Sequence, residues 1–525
     1  MNLKLSRYNR RSLIEMASGA ATFLAAGTWS KSALAQDGTP DPATPGATRE
    51  PILKGNPISI YESGAELPSD PVTLTWLENG SGPRTDFMAD LFAQYQKAHP
   101  NITVQYEHFP IPDQQQLLSV AIQNNTLPDV FQPSPNIPGN QLVAQRLVAP
   151  LDDVIPNFDE WKAAFPPNTF FEGINVYEGK TYTYPITSNQ WLTNALLYNV
   201  ELMEAAGYDP ATTILTWDEF RDAARKITEA GQGEYYGFLI GGQQTNTMGE
   251  IVVQFAELAG AKGGEFNWES GDFNYTHDAF ANAIELLVAI NQDGSVFPGS
   301  MQLSNAAARD QFPQGIAGMI LQGQWNIPQW ETRNPDFNFD VSFQPLADAN
   351  TSMKLTYDPG GANPRYVSAR TKLPAVAGDI LHFLGTLEGQ IAWGVHTQGS
   401  DPPLFQEARD AAAEDPRMQR VNELTAEWMV LAPSPAARNT DVALVNLERR
   451  PLTPNLGELV QGFFTGQLTD IKATMQDLQD RANAELDQAI KAAQDKGAQV
   501  SRDDWVFPNW DPTMDYTEQD YEALN

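Results

Sequence analysis

Pro71-Val72-Thr73-Leu74-Thr75-Trp76 opens the stretch that decides the fold, and Leu127-Pro128-Asp129-Val130-Phe131 closes it. The first run alternates β-favouring residues and predicts a strand. A helix is expected from about Thr85 to His99, because Phe87, Leu91, Phe92 and Tyr95 share one face and Pro100 stops it. Ile102 to Tyr106 alternates again, Asp113 to Asn125 is rich in Gln, Leu and Ala, and Leu127 to Phe131 enters a third strand. Strand, helix, strand, helix, strand in that order argues for a parallel, helix-flanked α/β lobe.

On the N-terminal side, residues 36–70 repeat Pro, Thr, Gly and Ala, a composition that buries too little apolar surface to fold and predicts a flexible linker. Residues 1–35 have the three parts of an export signal. Lys4, Arg7, Arg10 and Arg11 make a positive start, Met16 to Gly27 is mostly apolar, and Ala33-Leu34-Ala35 supplies a cleavage site. Arg10-Arg11-Ser12-Leu13-Ile14 resembles the twin-arginine consensus, with Asn9 and Glu15 as departures. The chain has no cysteine, which excludes disulfides, thiolate metal sites and a lipid-modified cysteine anchor. The expected product is an exported, periplasmic or extracellular protein without a lipid anchor. Its formal net charge is −33, and −37 without residues 1–35, so it repels nucleic-acid backbones and anionic membranes.

On the C-terminal side, helices are expected near Val200–Ala206, Trp217–Ala230, Met248–Leu258 and Asp278–Gln292. A long one near Thr469–Gln499 carries Ile471, Met475, Leu478, Ala482, Leu486 and Ile490 at helical spacing. That pattern suits a docked terminal helix or a coiled-coil arm. Residues 497–525 read as an acidic, aromatic tail, either wrapped or loose.

Gly179-Lys180-Thr181-Tyr182-Thr183-Tyr184-Pro185-Ile186 gives a more specific signal. It resembles the strand by which the extracellular solute-binding family that includes maltose-binding protein passes from its first lobe to its second. An apolar strand and a "YN" helix start follow at Ala195-Leu196-Leu197-Tyr198-Asn199, then Thr216-Trp217-Asp218-Glu219-Phe220. Thr216 and Glu219 are spaced as a capping box. Leu127-Pro128-Asp129-Val130, the Phe312 to Trp325 run and Gly360-Gly361 extend the resemblance in order. Departures are the long linker, the acidic tail, and a longer insert between Ile186 and Ala195.

The resemblance implies a two-lobed periplasmic-binding-protein type II fold with a hinge and an interlobe cleft. The lobes are expected at 71–186 plus about 355–412, and at 187–354 plus about 413–496. It implies the solute-binding component of an ABC importer, which takes a mono- or oligosaccharide and hands it to a membrane permease as a monomer. No enzyme, cofactor or metal is implied.

Sugar rings want aromatic platforms, and their hydroxyls want planar polar groups. The expected platforms are Trp325 and Trp191. Trp325 carries Asn326 beside it, and Trp191 lies in the post-crossover insert with Asn189 and Gln190. Trp76 and Glu78 end the first strand and are expected to face the cleft. Gln132 and Ser134 follow the third strand, where maltose-type binders carry an aromatic. Gln243 and Asn246 are candidates for the other wall. Asp358, Gly360 and Gly361 form a loop whose backbone amides suit ligand approach. The five histidines lack metal-ligand spacing, and no Gly-x-Ser-x-Gly, Walker or dinucleotide motif occurs. A secreted glycosidase, a carbohydrate-adhesion module using the tail, and a binder of a non-sugar solute are the competing readings.

Overall fold

The computed structural model describes residues 63–80, 82–134, 137 and 139–524. The expected export signal and most of the linker lie outside the described residues. Strands Val72–Asn79 (β1), Ile102–Phe109 (β2), Val130–Phe131 (β3) and Val148–Ala149 (β4) belong to a first sheet. Strands Ala195–Asn199 (β5), Tyr236–Leu239 (β6), Ala317–Gln322 (β7) and Phe339–Ser342 (β8) form a second sheet in the order β8-β5-β7-β6. The chain then returns, and Tyr366–Ser368 (β9) completes the first sheet as β2-β1-β3-β9-β4.

In the first sheet β1 runs parallel to β2, pairing Val72 with Ile102 and Asn79 with Phe109, and parallel to β3. The returning β9 is antiparallel to β3 and β4. Helix Pro83–Ala98 has proline at its start, Asp86 in the first turn and Lys97 in the last. Those residues suit a helix entry, and the charges suit the helix dipole. It buries Phe87, Met88, Leu91, Phe92 and Tyr95, which join Leu74, Trp76 and Ile102 in one core. Late-chain residues Val376, Ile380, Trp393 and Phe405 close the same core.

The second lobe follows the same logic. All five residues of β5 are buried, as a central strand covered on both faces requires. Helix Trp217–Gly231 begins at the expected capping box. Glu219 N–H donates to the Thr216 hydroxyl, and the Thr216 N–H donates back to the Glu219 carboxylate at 2.8 Å. Helix Ile471–Asp495 buries Met475, Leu478, Ala482, Leu486 and Ile490, so it is docked along its length rather than projecting. The tail is packed as well: Trp505, Phe507, Trp510 and Tyr516 are buried, and only Met514 among its large apolar residues is strongly exposed.

The lobes are joined at the hinge. Thr187 bridges Ala362 and Pro403, and Leu355–Tyr357 runs parallel to Met429–Leu431. Across the cleft the Asn140 amide donates to the Ala443 carbonyl at 2.6 Å, so the lobes touch. Among the described residues no helix is long and apolar enough to cross a membrane.

Candidate functional site

Parallel strands direct their carboxyl ends toward one edge, and ligands of open α/β sheets bind outside that edge. In the first lobe this edge carries a polar network. Glu78 and Arg365 are both fully buried and meet through two contacts of 2.8 Å, Nε to Oε1 and Nη2 to Oε2. The Trp76 indole N–H donates to the same Glu78 Oε1 at 2.7 Å. Trp76 is 1% exposed and its ring packs on Phe92 at 5.0 Å. The expectation that Trp76 and Glu78 face the cleft is therefore corrected. At this end β1 is buried on both faces, so its alternate residues have no open side. Trp76 fills the core and Glu78 neutralises Arg365.

Beyond that pair, Arg84 Nη2 donates to the Asn79 carbonyl at 2.8 Å and to its amide oxygen at 3.1 Å, and Nη1 donates to Asn363 Oδ1. Gly80 has a φ of 107°, and a Cβ there would stand 2.1 Å from the Arg84 guanidinium, so only glycine lets the arginine fold over the strand end. The Gln132 amide donates to Asn363 Oδ1 at 3.1 Å, and Asn363 donates to the Thr187 hydroxyl at 2.9 Å. Gln132 is thus in the network and buried, as a brace between β3 and the returning chain. Ser134 is buried, and among the described residues its hydroxyl has no hydrogen-bond partner. Asp401, two residues before Pro403, has its carboxyl held above the ordinary range by burial, with the Arg84 and Arg365 charges opposing that rise.

The second lobe contributes a different surface. Trp191 and Trp325 are both half-buried and pack edge to face, with centroids 5.7 Å apart at 62°. The loop that presents Trp325 follows β7 and is fixed by Gln324, which accepts from Leu192 N–H at 3.1 Å and donates to Gly399 O at 2.9 Å. A Cβ on Gly323 would lie 2.1 Å from the Trp325 ring, so the glycine makes room for the indole. Asn326 does not face outward. It is fully buried, donates to Gly323 O at 2.7 Å, and shapes the loop instead of contacting solvent. Thr193, two residues past Trp191, donates to Glu250, one turn into helix Thr245–Leu258. Gln243 and Asn246 lie exposed at the start of that helix, on the same lobe.

Asn189, Asp358, Gly360 and Gly361 come together at the hinge around a cavity of about 380 Å³. The Asn189 amide donates to the carbonyls of Asp358 and Gly361, each at 3.1 Å. Gly361 has a φ of 61°, and a Cβ there would stand 2.3 Å from Pro185 and 2.7 Å from Thr187 O. Gly361 serves the close crossing of two hinge segments. Segment 185–191 thus links all three clusters: Thr187 to the amide network, Asn189 to the hinge, and Trp191 to the aromatic pair.

Sequence reasoning missed Arg84, Asn363, Arg365 and Thr187. The signal for Arg84 was available: a cation directly after a Gly-x-Gly-Pro break at a strand end, in a strongly acidic chain. Nothing marked Arg365, whose role depends on a partner 287 positions away. Among the described residues no group of His, Asp or Glu could hold a metal ion.

The sequence pattern of the bacterial extracellular solute-binding protein family matches residues 81–391, more than half of the chain. The melibiose/raffinose/stachyose-binding protein MelE of Bacillus subtilis (strain 168) is 28% identical over 205 residues, 39% of this chain and 44% of that relative. The chain therefore matches less than half of that relative's length. A solute-binding protein from Thermotoga lettingae, solved with α-D-tagatose, superposes with a TM-score of 0.60 at 21% identity, covering 79% of this chain and 99% of that one. The GacH receptor of Streptomyces glaucescens, solved unliganded and with acarbose, gives 0.59 at 18% identity, covering 79% and 98%. At those identities the two structures establish a shared fold. With the family pattern across both lobes, the chain belongs to the bacterial extracellular solute-binding protein family, whose members bind solutes and are not enzymes.

Proposed function

We propose that this protein captures a carbohydrate in the interlobe cleft and delivers it to the permease of an ABC importer. The observation that carries the reading is the half-buried Trp191–Trp325 pair. Two indoles held at an angle present apolar faces, and the Arg84–Asn363–Gln132 amide network stands at the opposing strand ends. Apolar ring faces and hydroxyl-directed amides are the two demands of a sugar. MelE, by its name a binder of melibiose, raffinose and stachyose, and the tagatose- and acarbose-bound structures support the same class. The ligand-facing set on this reading is Trp325 and Trp191, with Arg84, Asn363 and Ser134 shaping the strand ends of the other lobe and Gln243 and Asn246 on the outer flank. Residues 1–35 act as a twin-arginine export signal, the linker spans 36–70, and the mature protein works as a monomer. The lobes comprise 71–186 with about 355–412, and 187–354 with about 413–496.

A thermal-shift panel of melibiose, raffinose, stachyose, maltose and tagatose tests this. A ligand at a hundredfold excess over its Kd adds about 2.7 kcal/mol of stability by mass action. At least one sugar is expected to raise Tm. Failure of every sugar, with a response to polyamines or peptides, would move the ligand to another class.

A further inference from the structure

The segment after Gly497 is anchored on the second lobe. Trp505 packs with Val442, Leu486 and Ile490. The Phe507 N–H donates to Trp268 O at 2.7 Å and its ring meets Trp268 at 5.9 Å, while Trp510 and Tyr516 complete the cluster. From that anchor the chain runs onto the hinge. Asp515 Oδ1 accepts from the Leu431 N–H at 2.7 Å, and the Tyr516 N–H donates to Leu431 O at 2.9 Å. Both bonds grip Met429–Leu431, the hinge strand parallel to Leu355–Tyr357.

The same segment also reaches the first lobe. Asp515 lines the hinge cavity together with Asn168, Thr169 and Leu404. The Tyr521 ring lies 6.4 Å from Phe171, next to Phe170, which packs on the first-lobe core. Its hydroxyl accepts from the Ser434 N–H at 2.8 Å. Nearby, Gly173 of the first lobe sits so close to Ala436 that a Cβ would be 2.2 Å from its carbonyl oxygen. Segment 505–521 thus has one end buried in the second lobe, its middle hydrogen-bonded to the hinge, and its far end against the first lobe.

We propose that residues 505–521 form an intramolecular strap that biases the lobes toward the arrangement in which they touch at Asn140 and Ala443. A contact shifts a conformational equilibrium only if one state makes it and the other does not. The Tyr521–Phe171 contact meets that condition, because it joins groups on opposite sides of the hinge. Asp515 and Tyr516 fix the strap's middle to Leu431, so that Tyr521 is held where it reaches Phe171. Being part of the same chain, the strap acts at high effective concentration and needs no partner. The inference concerns lobe geometry and stands whether or not the ligand is a sugar.

The chain has no cysteine, so spin labels can be placed on introduced ones alone. Asp90 of the first lobe and Glu229 of the second are exposed and far in sequence from the strap. In D90C/E229C protein, pulsed electron–electron resonance without added solute reads the interlobe distance. Adding Asp515→Ala and Tyr521→Ala is expected to raise the ratio of separated to touching lobes about tenfold, the scale of one or two lost contacts. Superimposable distance distributions for a folded variant would overturn the proposal. Should the combined variant fail to fold, Phe171→Leu alone removes the first-lobe ring of that contact, leaves the strap's own cluster intact and is decided by the same readout, with a smaller shift expected and an unchanged distribution again contradicting.

Discussion

On the proposed reading, the two walls of the cleft are built from opposite chemistry. On the first lobe the strand ends carry Glu78, Arg365, Gln132 and Asn363, buried and bonded to one another. On the second lobe Trp191 and Trp325 are half-buried and pack edge to face on each other. A satisfied polar network gains little by meeting a ligand, but it fixes geometry. An incompletely buried aromatic pair gains by being covered. The first wall should therefore govern stability and alignment, and the second should govern affinity.

The strongest way to break that contrast is to unpair the buried ions. Glu78→Gln leaves the Arg365 charge buried without its carboxylate, and about 3–5 kcal/mol of unfolding free energy should be lost in denaturant titration. The double variant Glu78→Gln/Arg365→Met should recover much of that loss, because no uncompensated charge then remains. Trp325→Ala should do the reverse. Tm should hold nearly constant while solute affinity falls by about 10- to 100-fold in calorimetry, the range of an aromatic hot spot. Gly323→Ala should give a weaker copy of that phenotype, since a Cβ there displaces the Trp325 ring.

The smallest effect separates two buried glutamates. Glu78 has a guanidinium partner, whereas Glu257 at the end of helix Thr245–Leu258 has the Thr356 hydroxyl at 2.7 Å and its N–H at 3.3 Å. Burial pushes the Glu257 carboxyl up to about 8 from 4.5, with the Thr356 bonds opposing. A carboxyl with a raised folded-state value is protonated in the fold while the unfolded chain has already lost its proton. Its contribution is present below pH 4.5 and fades as pH rises to about 8. Wild-type stability should decline across that window relative to Glu257→Gln, measured by denaturant midpoints at each pH.

How much of this was legible in the sequence follows from the range of the forces involved. Helix Asp278–Gln292 and the Thr216–Glu219 box were readable because periodicity and capping are local. The two-lobe fold was readable because several family motifs fell in order. Trp191 and Trp325 were readable as candidates, but their mutual contact depends on how two loops pack. Trp76 and Glu78 misled, since alternation along a strand predicts an open face only when the sheet has one, and β1 is covered on both sides at its carboxyl end. Asn326 misled for a related reason: a polar residue beside a half-buried tryptophan can be the one that holds the loop. The tail's inward packing was illegible, because its neighbours Trp268 and Leu431 lie far away in the sequence and meet it only in the folded second lobe.

The central claim is that the aromatic pair supplies the binding surface. Isothermal titration of the sugar that most raises Tm, into wild-type protein and into Trp325→Ala at matched stability, tests it most directly. Saturable wild-type binding weakened at least about tenfold in the variant is the predicted result. Equal affinity in the two proteins would contradict it.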